Sequence, residues 1–201
     1  MSKVDSEKPS LYNRLVAYII DTLIISFIAS LLAFPFTNNK EMVSIQNEYM
    51  EKSQKYINKE ISINEYTADM VNIQYDIAKN GGFITITTIF LGICYFVIYQ
   101  MLNNGQTIGK KIMKIRVIST SGELSANQMI MRSFIANNIL LNIISILLLL
   151  FTKKTEYFYC YSLFSLLQYI ITCISFFMFL IKKEGLTVHD KLVHTKVIKI
   201  N

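Results

Sequence analysis

Long apolar runs separated by polar stretches organise the chain. Residues 14–36, 82–102, 133–151 and 158–181 form four such runs of 19–24 residues. At about 1.5 Å of rise per helical residue, each suits a hydrocarbon core of roughly 30 Å. Between the first two runs, residues 37–80 are polar, yet Ile63, Tyr66, Met70, Ile73 and Ile77 recur at helical spacing. Ser62 and Glu65 form a capping box there, and Met42, Ile45, Tyr49 and Tyr56 give a weaker stripe. Two amphipathic helices packed as a hairpin follow from this pattern. After the second run, Ile115, Val117 and Ile118 predict a short strand and Ser121-Gly122 a turn. Ser125 with Gln128 makes a capping box opening the helix that becomes the third span. The tail ends in a second strand-like piece, able to pair with residues 114–120. The predicted fold class is an all-α membrane protein: four transmembrane helices, an external helical hairpin insertion over 37–80, and a small strand-like cytoplasmic loop and tail.

Composition agrees. Of 201 residues, 52% are hydrophobic and none is Trp, which suits an integral membrane protein. Richness in Ile, Asn and Lys is typical of AT-rich genomes and gives weak support for a bacterial source. The net charge of +6 does not point to nucleic acid, because the cations flank the spans. The 103–132 loop carries Lys110, Lys111, Lys114, Arg116 and Arg132 against Glu123, and the tail carries five lysines against Glu184 and Asp190. Residues 37–80 hold five lysines and seven acids. By the positive-inside rule both termini and the 103–132 loop are cytoplasmic, and 37–80 lies outside the cell membrane. Lys153 and Lys154 oppose this order but are outnumbered. Residues 1–13 read as a cytoplasmic N-terminal segment and 14–201 as one membrane domain. The first run is too long for a signal peptide and lacks a clear cleavage site, so it reads as a retained anchor. Cys94, Cys160 and Cys173 fall in apolar runs and read as packing residues.

One charge sits inside a span. Residues 15–36 hold thirteen Leu, Ile, Val or Phe, together about −4 to −8 kcal/mol towards insertion, against about +2.5 to +3.5 for a central Asp. The helix inserts, and Asp21 faces protein or water rather than lipid. Seven residues separate it from Arg14, which places both on one helical face with Asp21 roughly 10 Å deeper. Asn137, Asn138 and Asn142 in the third span, with Ser165, Gln168, Thr172 and Ser175 in the fourth, add polar side chains. Such groups commonly join helices. Asp21, Asn138 and Ser175 also fall at a similar depth, so Asp21, Asn138, Asn142, Thr172 and Ser175 form a candidate intramembrane polar site.

The loop after the second span reads Gly105, Thr107, Gly109, Lys110, with Arg116 beyond it. Three residues separate the glycines and Lys111 follows Lys110, so this is no Walker A loop. His189 and His194 flank Asp190 at a spacing that suits neither a one-turn helical pair nor a metalloprotease motif, so no metal is expected. Asp190 is instead expected to pair with Arg14 or Arg116. No nucleophile–base pattern suggests an enzyme, and no cofactor is expected.

Three stretches together resemble the RDD family of bacterial multi-pass membrane proteins. They are Arg14, Leu15, Ala17 and Asp21; Gly105, Thr107, Gly109 and Lys110 through Arg116-Val117; and His189-Asp190 through Thr195 and Val197. The resemblance implies that Arg14, Asp21 and Asp190 are the family signature and that Arg132 matches a recurrent arginine. Residues 37–80 read as an insertion. The resemblance also implies transport, in some members sodium–proton exchange. Two functions stay open. One is a small cation/proton exchanger or transporter using an intramembrane carboxylate, with a monovalent cation or proton as its solute. The other is a non-catalytic membrane scaffold or accessory subunit binding a partner protein. In either case the chain is expected to work in the bilayer as a homo-oligomer or with a membrane partner.

Overall fold

The computed structural model describes residues 8–37, 39–181 and 185–200. The leader up to residue 7 and the tail residues Lys182, Lys183 and Glu184, used in the charge count above, lie outside the described residues. Helix α1 (Leu11–Ala33) opens where the Ser10 hydroxyl accepts the Asn13 N–H, and it leaves through a 3-10 turn, Phe34–Phe36, containing Pro35. Its buried stripe is Ala17, Asp21, Ile25, Ala29 and Ala33, every fourth residue. The three alanines let neighbouring backbones approach closely, as small residues do in membrane helix interfaces. The opposite face leaves Leu23, Phe27 and Leu31 at least 60% exposed, a surface suited to lipid.

The hairpin consists of α2 (Asn39–Ile57) and α3 (Ile63–Asn80), the latter opened by the Ser62–Glu65 capping box. Ile45, Met70 and Ile73 form its small core. Lys154 bonds Asp76 at 3.1 Å, and Tyr75 meets the Tyr157 ring edge-on, so α3 docks on α8 (Lys154–Ile181). The α4 helix (Gly82–Leu102) packs on α1. Its stretch Cys94–Tyr99 is in the wider π form, with Tyr95 and Tyr99 stacked at 5.4 Å.

Past α4 come the short α5 (Ile108–Ile112) and β1 (Ile115–Ser119). The expected single third span is instead two helices, α6 (Ala126–Ala136) and α7 (Ile139–Phe151), bent by 69°. The bend has a local cause. Asn138 takes a left-handed φ of +56°, which stops one helix and starts another, and Asn tolerates that conformation better than most residues. Among the described residues, three helices are long and apolar enough to cross a membrane, or four if the bent pair makes one span. The last long helix starts at Lys154 rather than near 158, because Glu156 accepts the Lys153 N–H at 3.1 Å.

In the tail, α9 (Val188–Leu192) precedes β2 (Thr195–Lys199), which pairs antiparallel with β1 in the register Val117 opposite Val197. Inward-facing Ile115, Val117 and Val197 pack with Ala17, Val97 and Met129. The two-stranded sheet thus plugs one end of the bundle, and the connectivity puts the α2–α3 hairpin at the other.

Candidate functional site

Asp21 is 1% exposed and fully engaged by the basic loop. One carboxylate oxygen accepts the Tyr95 hydroxyl at 2.6 Å and the Gly109 N–H at 2.8 Å, and the other accepts the Thr107 hydroxyl at 2.5 Å. Both hydroxyls are oriented from behind: Tyr95 Oη accepts the Ile108 N–H at 2.9 Å and Thr107 Oγ1 the Lys110 N–H at 3.3 Å. Three donors thus converge on the two oxygens of Asp21 and hold its side chain in one orientation. Glycine at 109 is a steric requirement, since a Cβ there would lie 2.3 Å from the Ala17 carbonyl oxygen and 2.8 Å from Asp21. Gly105 sits at φ +81° with a Cβ position 2.1 Å from the Val117 carbonyl oxygen, so no side chain fits there either. Gln100, buried beneath, donates to the Gly105 carbonyl at 3.0 Å.

Asp190, wholly buried, binds two arginines, Arg14 and Arg132. Arg14 donates to it at 3.2 Å, Arg132 donates to its second oxygen, and the Thr187 hydroxyl adds a bond of 2.8 Å. Burial opposes ionisation of Asp190, but Arg132 and then Arg14 hold its carboxyl well below the usual carboxylate range. Thr195 joins the cluster, accepting from Arg132 at 3.0 Å. Arg116 is not one of the partners of Asp190. It lies on β1, opposite Ile198, and its buried Nε has no hydrogen-bond partner. Next to Asp190, burial and then the Arg132 charge push the His189 imidazole down to about 3, so it is neutral. Its Nε2 lies 2.8 Å from the Thr187 hydroxyl.

Above these two acids a cavity of about 590 Å³ opens between α1 and α8. Asp21, Asn138, Asn142, Thr172 and Ser175 all line it, but none of the last four hydrogen-bonds to Asp21. Ser175 accepts the Val188 N–H at 3.4 Å and Thr172 bonds its own helix at Gln168. Among the described residues, the Asn138 and Asn142 side chains make no hydrogen bond and face the cavity. Lys110 also lines it and, among the described residues, its ammonium makes no hydrogen bond or ion pair. Burial, then the charges of Arg132 and Arg14, lower Lys110 to about 8, against the pull of Asp21 and Asp190. A second void of about 190 Å³ lies between α1, α4 and α7, and shares Tyr18, Phe96, Asn137, Asn138 and Asn142 with the first. The two meet at the break in the bent helix pair.

Sequence reasoning missed Tyr95, and it gave Arg132 no partner. An isolated Tyr in an apolar run reads as an interfacial aromatic, and nothing in its spacing pointed to Asp21. Among the described residues, no group of three His, Cys, Asp or Glu could hold a metal ion. No curated protein and no solved structure matches the chain. The family model described as the RDD family matches residues 8–194. The chain, with its long apolar helices and the Arg14, Asp21 and Asp190 network, belongs to the RDD family of membrane proteins.

Proposed function

We propose that this RDD protein is a small, non-enzymatic membrane transporter whose solute pathway is the cleft between α1 and α8. The observation that carries this reading is that Asn137 and Asn138, at the break between α6 and α7, line both cavities. A helix broken inside the bundle, with freed backbone groups and unpaired amides beside a cavity, is how membrane proteins expose polar ligating groups at depth. In this reading Asp21 latches the basic loop to the pathway wall, its oxygens committed to three donors, and is not the carboxylate that carries a cation. The chain sits in the cell membrane with both termini and the 103–132 loop cytoplasmic and the hairpin outside, following the Lys and Arg distribution.

Cysteine accessibility tests the pathway without a known solute. In a background lacking the native cysteines, Ser175→Cys, Asn142→Cys and Ser26→Cys are each to be exposed to a small hydrophilic thiol reagent in sealed vesicles. All three react if the cavities form a path, whereas inert Asn142→Cys and Ser26→Cys would remove it. Cation and proton flux in everted vesicles separates the earlier exchanger reading, because loss of flux in a well-folded Asp21→Asn would return the acid to the role of ion carrier. One observation favours the scaffold reading: Val43, Met50 and Ile57 form an exposed stripe on α2, each more than 50% accessible. A scaffold would lose its partner on Met50→Lys while every pathway cysteine stayed silent.

A further inference from the structure

The blind end of the α1–α8 cleft carries more positive than negative charge. Arg14, Lys110 and Arg132 line it, and the nearby carboxylates are Asp21 and Asp190. Asp190 is satisfied by the two arginines and Asp21 by three neutral donors, so the excess falls on Lys110. The groups facing Lys110 account for its state from every side: Asp21 and Arg14 on α1, Arg132 on α6, and Asp190 and His189 on α9. His189 is neutral and adds nothing to the balance. Among the described residues the buried Arg14 Nε finds no hydrogen-bond acceptor, and its guanidinium lies over the Phe179 ring at 4.9 Å. A cationic end with spare donors calls for an anion.

The rest of the cleft calls for a hydrocarbon. Its mouth lies between two spans, where Leu15 and Tyr18 on α1 face Tyr169 and Phe176 on α8, each at least 45% exposed and each lining the cavity. Lys8 donates to the carbonyl of the lining residue Phe179 at 3.2 Å and lies over the same ring. A ligand therefore reaches the cations sideways from the bilayer, head first along an apolar and aromatic gap. From this geometry we infer that the cleft binds an anionic lipid, its phosphate held by Lys110 with Arg14 and Arg132 and its chains lying between α1 and α8. The inference rests on the cleft being a ligand site and is independent of whether anything travels on past Asn138.

Binding is to be measured by native mass spectrometry and thermal shift on the full chain in a neutral maltoside detergent. The probes are dioctanoyl phosphatidic acid, dioctanoyl phosphatidylcholine and inorganic phosphate. One phosphatidic acid per chain is expected, at least tenfold tighter than the choline lipid and at least a hundredfold tighter than phosphate. Lys110→Gln should lose about tenfold and Lys110→Arg should recover it. Wild-type binding should weaken as pH rises from 7.5 to 9.5, while that of Lys110→Arg should persist, since a lysine lowered to about 8 loses its charge in that range. Equal binding of the choline lipid would overturn the charge argument, and phosphate binding as tightly as the lipid would leave a free-anion site in its place. Unchanged binding by Lys110→Gln would remove the site from the cleft. A disulfide between Leu15→Cys of one chain and Tyr169→Cys of another, with no lipid bound, would show that a second copy fills the gap. Inert pathway cysteines with intact lipid binding would reject transport and leave this inference standing.

Discussion

Asp21 faces two hydroxyls and one backbone N–H, all donating. Asp21→Asn turns one of its acceptor oxygens into a donor, which would either oppose the Gly109 N–H or make the Thr107 hydroxyl turn to accept and give up its own acceptor. Leaving one such group unsatisfied costs about 1–3 kcal/mol. The variant should therefore insert but melt lower in detergent, and an unchanged melting curve would show that these three bonds do not latch the loop. Tyr95→Phe removes a single donor and strands the Ile108 N–H, so its loss should be smaller. His189 gives a pH signature at the same scale. It stays neutral in the fold down to about 3, against an ordinary 6.5. The unfolded chain binds the proton first, so the stability is fully present above about 6.5 and drains away as pH falls towards 3. Between 6.5 and 5 the loss is about 2 kcal/mol at 1.36 kcal/mol per unit. A melting series over that range should show the slope in wild type and flatten in His189→Gln.

At the scale of elements, the apolar runs at 14–36 and 82–102 and the amphipathic stripe of α3 carried enough periodicity to be read directly. The break before α7 was not legible. Residues 126–151 keep a helical pattern throughout, and Asn is both an ordinary helix resident and a ready left-handed one, so its type did not announce which. The π stretch of α4 leaves no mark in the pattern either. The break makes a prediction of its own. Asn138→Gly keeps the left-handed conformation open and should be neutral or nearly so, whereas Asn138→Ile meets a penalty of about 1–2 kcal/mol at φ +56°. Thermal stability of the two variants decides it, and equal values would mean that the bend is not held by this residue.

For the whole molecule, the three family-like stretches were legible as separate motifs, and the tie of Asp190 to Arg14 was expected and is present, whereas its tie to Arg132 was not foreseen. Arg14 and Asp190 are 176 residues apart, and no local pattern distinguishes Arg132 from Arg116 as the second partner. A double-mutant cycle in thermal stability should show strong coupling between Asp190→Ala and Arg132→Ala, since Asp190→Ala alone leaves two arginines without their counter-charge, at about 3–5 kcal/mol, and removing Arg132 relieves part of that. The same cycle with Arg116→Ala should be additive, and coupling there would contradict the described network. Orientation is checked by impermeant maleimide on intact cells. Ser53→Cys in α2 should label and Ser121→Cys beyond β1 should not, and the reverse result would invert the assigned sides.

The tie between Arg14, Arg132 and Asp190 also has a bearing on how the protein is made. Asp190 and β2 follow every described long apolar helix, so translation delivers them after those helices. Until they emerge, the two arginines face each other without a shared counter-charge, and β1 keeps a bare edge open to mispairing. A copy cut short after α8 would be threaded through the bilayer much like a finished one. Its difference would lie at one end of the bundle, as a loose basic loop and an unpaired strand on offer to a quality-control protease. Closure of that end of the bundle in this way waits on a segment made only after the last long helix.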